Sequence, residues 1–175
     1  MASDLFDRQM AMYTSFHRDG RNRLTHFFGI PAIILAVLVA LATVPLGAIG
    51  SWPVTLAEPV AVLVWLLWIS LDLGLGLAMA VVIVPGVIVA HLVVGGGSAS
   101  VTWITAAILF VGGWALQLVG HAYEGKRPAF LSNLFQLLIG PMFLVAEVAF
   151  AIGLRSGLKH RVEAVADAHA AKVGR

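Results

Sequence analysis

From Phe27 to Gly120 the chain is apolar with few interruptions, and its polar groups gather at the two ends of that expanse, in YTSFHRDGRNRLTH (Tyr13 to His26) and GHAYEGKRPAF (Gly120 to Phe130). Ahead of it, residues 4–17 predict an amphipathic helix. Leu5, Phe6, Met10, Tyr13, Phe16 and His17 recur at three- and four-residue spacing on one face, away from Asp4, Asp7 and Arg8. One reading of such a helix is that it lies in the headgroup region, the other that its Tyr13 and His17, four apart on one face, belong to a site. Arg18-Asp19-Gly20 breaks it and a second helix is expected from about Asn22. The break matters because nine steps of about 100° on one continuous helix would put His17 and His26 on opposite sides, whereas a turn at Gly20 lets them converge.

Four membrane spans are then expected, at about 27–48, 52–71, 73–94 and 101–121, each near the roughly 20 apolar residues a crossing requires. Pro31 is read as lying in the first turns of its helix, where a missing amide costs little. Asp72 is expected in a tight turn, and His91 as a packed or snorkelling residue near the far end of the third span. Gly112, Gly113 and Gly120 permit close approach of the fourth span to a neighbour. The run Leu131 to Leu154 contains Gly140-Pro141 at its middle, a helix-breaking pair, and is read as a broken re-entrant or interfacial pair of half-helices in place of a fifth span.

Composition supports a membrane assignment. The 175 residues are 60% hydrophobic and 11% charged, against about 25% charged in ordinary globular domains. The fold class expected is therefore all-α, a polytopic helical bundle forming one membrane domain over 1–175, with a cytoplasmic tail at 155–175. Arginine and lysine lie in the amino terminus, the 122–130 loop and the tail, and are absent from the loops at 45–59 and 95–100. The positive-inside rule places both termini and the 122–130 loop in the cytoplasm, and no apolar core of a secretory signal precedes the first span. Richness in alanine, valine and glycine points to a bacterial inner membrane. With no cysteine there is no thiolate ligand or nucleophile, and with no basic face carrying stacking aromatics there is no case for nucleic acid.

On this topology His17, His26 and His121 share the cytoplasmic membrane boundary. Three neutral imidazoles suit a first-row divalent metal such as iron, zinc or copper, with coordination positions left open. Glu124, three residues after His121, is a candidate fourth ligand, a partner orienting an imidazole, or a general base. Asn22 and Gln117 are placed to hold ligand tautomers, and Lys126 and Arg127 to anchor a carboxylate.

The segments YTSFHRDGRNRLTHFFGIP and GHAYEGKRPAFLSNLFQLLIGPMFLVAEV resemble the two signature blocks of the membrane family that includes fungal 2-hydroxy fatty acid dioxygenase, and together cover about a quarter of the chain. The resemblance implies an Fe(II)-dependent α-oxidation in which a 2-hydroxy fatty acid and dioxygen give a fatty acid one carbon shorter. Carried over by position, it implies His17, His26 and His121 as iron ligands. Tyr13, Asn22 and Glu124 match further motif positions and are assigned catalytic roles, with Gln117, Lys126 and Arg127 assigned to the substrate and membrane lipid as the surrounding medium. A small membrane transporter, a haem protein and a non-enzymatic lipid-binding protein are the rival readings, and a homo-oligomer stays open.

Overall fold

The computed structural model describes residues 2–125, 127, 128, 131 and 133–173. Helices dominate: α1 (Ala2–Ser15), α2 (Gly20–Ala42), α3 (Ala57–Leu71), α4 (Leu73–Ala78), α5 (Ala80–Gly96), α6 (Ala99–Glu124), α7 (Gln136–Ala151) and α8 (Ser156–Val173). A two-stranded antiparallel hairpin, β1 (Pro45–Ile49) and β2 (Trp52–Thr55), follows α2. Among the described residues three helical stretches are long and apolar enough to cross a membrane: α2, the α4–α5 stretch Leu73–Gly96, and α6. Only about a quarter or less of each is buried inside the protein, as expected of surfaces that face lipid.

The hairpin corrects the expected boundaries of the first two spans. Pro45 has no amide to continue α2, Pro53 follows closely, and Gly50 turns the chain at φ +61°. The first apolar helix therefore ends at Ala42 instead of residue 48, and α3, at 15 residues, begins only at Ala57. Glu58 fastens the hairpin: its carboxylate accepts from the Trp52 indole (3.1 Å), the Thr55 amide (2.9 Å) and the Thr55 hydroxyl (2.8 Å), and it pairs with His91 at 2.6 Å. His91 is thus a packed histidine.

Pro31 is not in the first turns of its helix, because α2 starts at Gly20 and the proline falls mid-helix. Nor does Gly140-Pro141 break α7, which runs through both residues as one helix. The lost hydrogen bond is offset by tertiary packing, since Ile139, Met142 and Phe143 are fully buried and the Trp68 indole donates to the Leu138 carbonyl (2.8 Å) one turn before the proline. Asp72 caps α4 by accepting from the Leu75 amide (2.9 Å) and pairs with Arg155.

α2 and α6 make the most extensive packing in the fold, and glycine is the reason. A Cβ on Gly113 would lie 2.7 Å from Ile33 and 2.8 Å from the Gly29 carbonyl, so the two backbones touch directly. Gly112, one residue away, faces open space.

The two ends of the chain pack on each other. The apolar face of α1, with Phe6, Met10 and Tyr13, is covered by protein, chiefly α8 and α7, and does not depend on headgroups for burial. α8 buries Leu158, Val162 and Ala166 in return, and Arg161–Asp7 (2.7 Å) and Arg18–Asp167 (2.6 Å) flank the contact. The tail is therefore a helix docked on α1.

Candidate metal centre

The turn between α1 and α2 brings two histidines together. Asp19 caps α2 by accepting from the Arg21 amide (2.8 Å), and the hydrogen bond from the Arg21 side chain holds its carboxyl down from the ordinary 3.8 to about 2. The cap stays ionised at any working pH. Across the turn, the Nε2 atoms of His17 and His26 lie 3.0 Å apart.

The other nitrogen of each ring decides what that distance means. His17 Nδ1 is 2.7 Å from the Tyr13 carbonyl and His26 Nδ1 is 2.8 Å from the Asn22 carbonyl. A carbonyl only accepts, so each Nδ1 carries the proton and each Nε2 is left with a lone pair. Two lone pairs facing each other at that distance repel unless a cation or an added proton lies between them. His121 closes the group from α6, its ring 4.9 Å from that of His17 and 5.0 Å from that of His26, centre to centre. One ligand atom from each of the three lies within 4.8 Å of the others. All three are buried, at 2%, 1% and 6% exposure, and His121 Nδ1 has no hydrogen-bond partner among the described residues. This donor set fits a divalent metal ion: three neutral nitrogens converge, and an ion would satisfy the orphaned nitrogen and remove the repulsion.

Glu124 falls outside this group of ligand atoms. Its carboxylate accepts from the backbone amides of Arg18 (3.1 Å) and Asp19 (2.8 Å) and from Asn22 Nδ2 (3.2 Å), tying the α1–α2 turn to the end of α6. Asn22 is fully buried and also donates to the Phe16 carbonyl (3.1 Å). Gly120 makes room for this arrangement, since a Cβ there would fall 2.5 Å from Asn22 Oδ1 and 3.1 Å from His26 Nδ1. Tyr13 stacks flat on His17, centroids 3.9 Å apart and planes 4° from parallel, and burial pushes its phenol pKa up, so the hydroxyl is neutral.

The three imidazoles open onto a cavity of about 290 Å³. Its walls are apolar, with Ile30, Ile33 and Ile34 of α2, Phe110 and Trp114 of α6, and Gly140 and Pro141 of α7, and its polar contributions include Gln117 and Gln136. Gln117 was expected here; Gln136 was not, since nothing in its spacing sets it apart from the apolar run that follows it. Arg127 is exposed and is not among the lining residues, so the structure does not bring it to the cavity. Lys126 lies outside the described residues. Two arginines that sequence reasoning passed over are nearer: Arg18 and Arg23 line a polar pocket on the other side of His17, paired with Asp167 and Glu147 respectively.

Apolar helices of membrane-crossing length around a buried three-histidine site able to hold a metal ion define a class of membrane protein. Residues 3–152 match the model of the family described as 2-hydroxy-palmitic acid dioxygenase Mpo1-like, and the chain belongs to that family. No curated protein and no solved structure matches it. The matched region contains all three histidines and ends before α8.

Proposed function

We propose that this protein is an iron(II)-dependent dioxygenase that shortens 2-hydroxy fatty acids by one carbon. The observation that supports the reading best is the pair of proton-free Nε2 atoms 3.0 Å apart, joined by His121, opening onto an apolar cavity. The family's description supplies the substrate class. The overall change, RCH(OH)COOH + O2 → RCOOH + CO2 + H2O, balances in atoms and electrons, so no external reductant is required.

His17, His26 and His121 would hold the iron, which supplies the one-electron chemistry that dioxygen requires. The protein residues do the remaining work. Tyr13 and Asn22 fix the two imidazoles through their backbone carbonyls, and Glu124 holds the turn that carries both, so Asn22 and Glu124 act by positioning. The neutral Tyr13 hydroxyl is a proton donor beside the cavity. Gln117 offers an amide N–H to the substrate carboxylate. The isoleucine and aromatic walls take the start of the acyl chain and exclude water, and the rest of the chain extends into the bilayer, which explains why such chemistry is placed in a membrane. We further propose that both termini face the cytoplasm of a bacterial inner membrane, following the arginine and lysine distribution.

Elemental analysis of the detergent-purified protein tests this reading. Stoichiometric iron is expected in the wild type and is expected to be lost in His17→Ala, His26→Ala and His121→Ala, together with oxygen uptake on 2-hydroxypalmitate. Wild-type protein that stays metal-free after anaerobic iron loading, or that turns over without metal, would overturn it.

A further inference from the structure

Gln136 is the first residue of α7, is 1% exposed and lines the cavity beside the histidines. The direction of its amide follows from its neighbours. The Phe135 amide donates to Asn133 Oδ1 (3.0 Å), which turns Asn133 Nδ2 to Gln9 Oε1 (3.0 Å), and Gln136 Nε2 donates to the same Gln9 oxygen at 2.5 Å. Gln9 Oε1 can only accept, so the Gln136 amino group is committed to α1 and its carbonyl oxygen is not free to exchange places with it. That oxygen, Oε1, is buried and has no hydrogen-bond partner among the described residues. Gln117 Nε2, a donor from α6 on the same cavity, is likewise buried without a partner among the described residues.

A buried acceptor held in one orientation and left unpaired is destabilising, and native proteins tolerate it where a ligand supplies the missing group. An unpaired acceptor and an unpaired donor on one cavity match a molecule that carries a hydroxyl beside a carboxylate. Resting on the function proposed above, we infer that Gln136 Oε1 accepts from the substrate's 2-hydroxyl while Gln117 Nε2 donates to its carboxylate, and that Gln136 is the residue that selects 2-hydroxy acids over unsubstituted ones. A plain fatty acid would leave Oε1 unpaired and cut off from water, so it is rejected more strongly than the loss of one hydrogen bond to solvent would suggest.

The test is anaerobic equilibrium binding of 2-hydroxypalmitate and of palmitate to iron-loaded protein in lipid nanodiscs. The wild type is expected to prefer 2-hydroxypalmitate by more than about tenfold. Gln136→Met, which keeps the volume and removes the acceptor, is expected to bring the ratio to about one while retaining iron. Gln9→Met, which frees the amide to turn, is expected to lower the ratio at least about threefold, and carries the test if the first variant does not fold. An undiminished ratio in the variant that folds, or equal loss of affinity for both acids, would overturn the assignment and leave the proposed reaction standing. Failure of the wild type to bind 2-hydroxypalmitate would overturn both.

Discussion

Each of His17 and His26 keeps one ring nitrogen for a backbone carbonyl, and that backbone bond leaves the second nitrogen with a lone pair able to bind a metal ion. Glu124 acts one step back from this. It gathers two amides and the Asn22 side chain, so its removal loosens the turn that carries His17 and His26 without removing a ligand. Glu124→Ala is therefore expected to weaken metal binding about 10- to 100-fold, with Glu124→Gln closer to wild type because an amide oxygen still accepts. Titration of the metal-free protein with Fe(II) measures this; unchanged affinity in Glu124→Ala would show that the turn is held by other contacts. The expected role of Glu124, as a fourth ligand, a partner orienting an imidazole or a general base, came from its three-residue offset from His121, which places it on the same helical face but cannot show which groups its oxygens meet.

At the scale of elements, the glycine seam between α2 and α6 sets the distance between His26 and His121. Gly113→Ala forces the Ile33 side chain and the Gly29 backbone apart and is expected to cost about 1–3 kcal/mol of stability, whereas Gly112→Ala, facing open space, is expected to change it by less than about 0.5 kcal/mol. Thermal unfolding in a single detergent distinguishes the two; equal effects would mean that helix propensity, not contact, governs the seam. The sequence pointed to close packing at Gly112, Gly113 and Gly120 alike, because small residues in an apolar run are legible while their facing is not. The same limit applies to α7, where a proline that breaks an isolated helix is carried by the packing of its neighbours.

At the scale of the whole molecule, the hairpin follows α2 and the histidine centre lies at the α2 amino terminus, so the two belong to opposite ends of that helix. The proposed orientation puts the hairpin outside the cytoplasm and α8 inside. The chain has no cysteine, so single cysteines report cleanly: Ile49→Cys is expected to react with an impermeant maleimide in intact spheroplasts, and Gly157→Cys only after permeabilisation. The reverse pattern would invert the topology. α8 lies beyond the family match yet covers the apolar face of α1, the helix that carries Tyr13 and leads into His17.

The sequence by itself determined the helical membrane class, the two polar clusters, the break ahead of Gly20 that lets His17 and His26 meet, and the three histidines, because hydrophobic period and length fix which segments avoid water and where charge is tolerated. Only the tertiary structure decided that residues 45–55 form a hairpin, that α7 passes through its proline, that the tail docks on α1, that Glu124 clamps a turn and that Gln136 faces the cavity. Periodicity reports the face an element hides, and the partner that hides it is chosen by packing among segments distant in the chain.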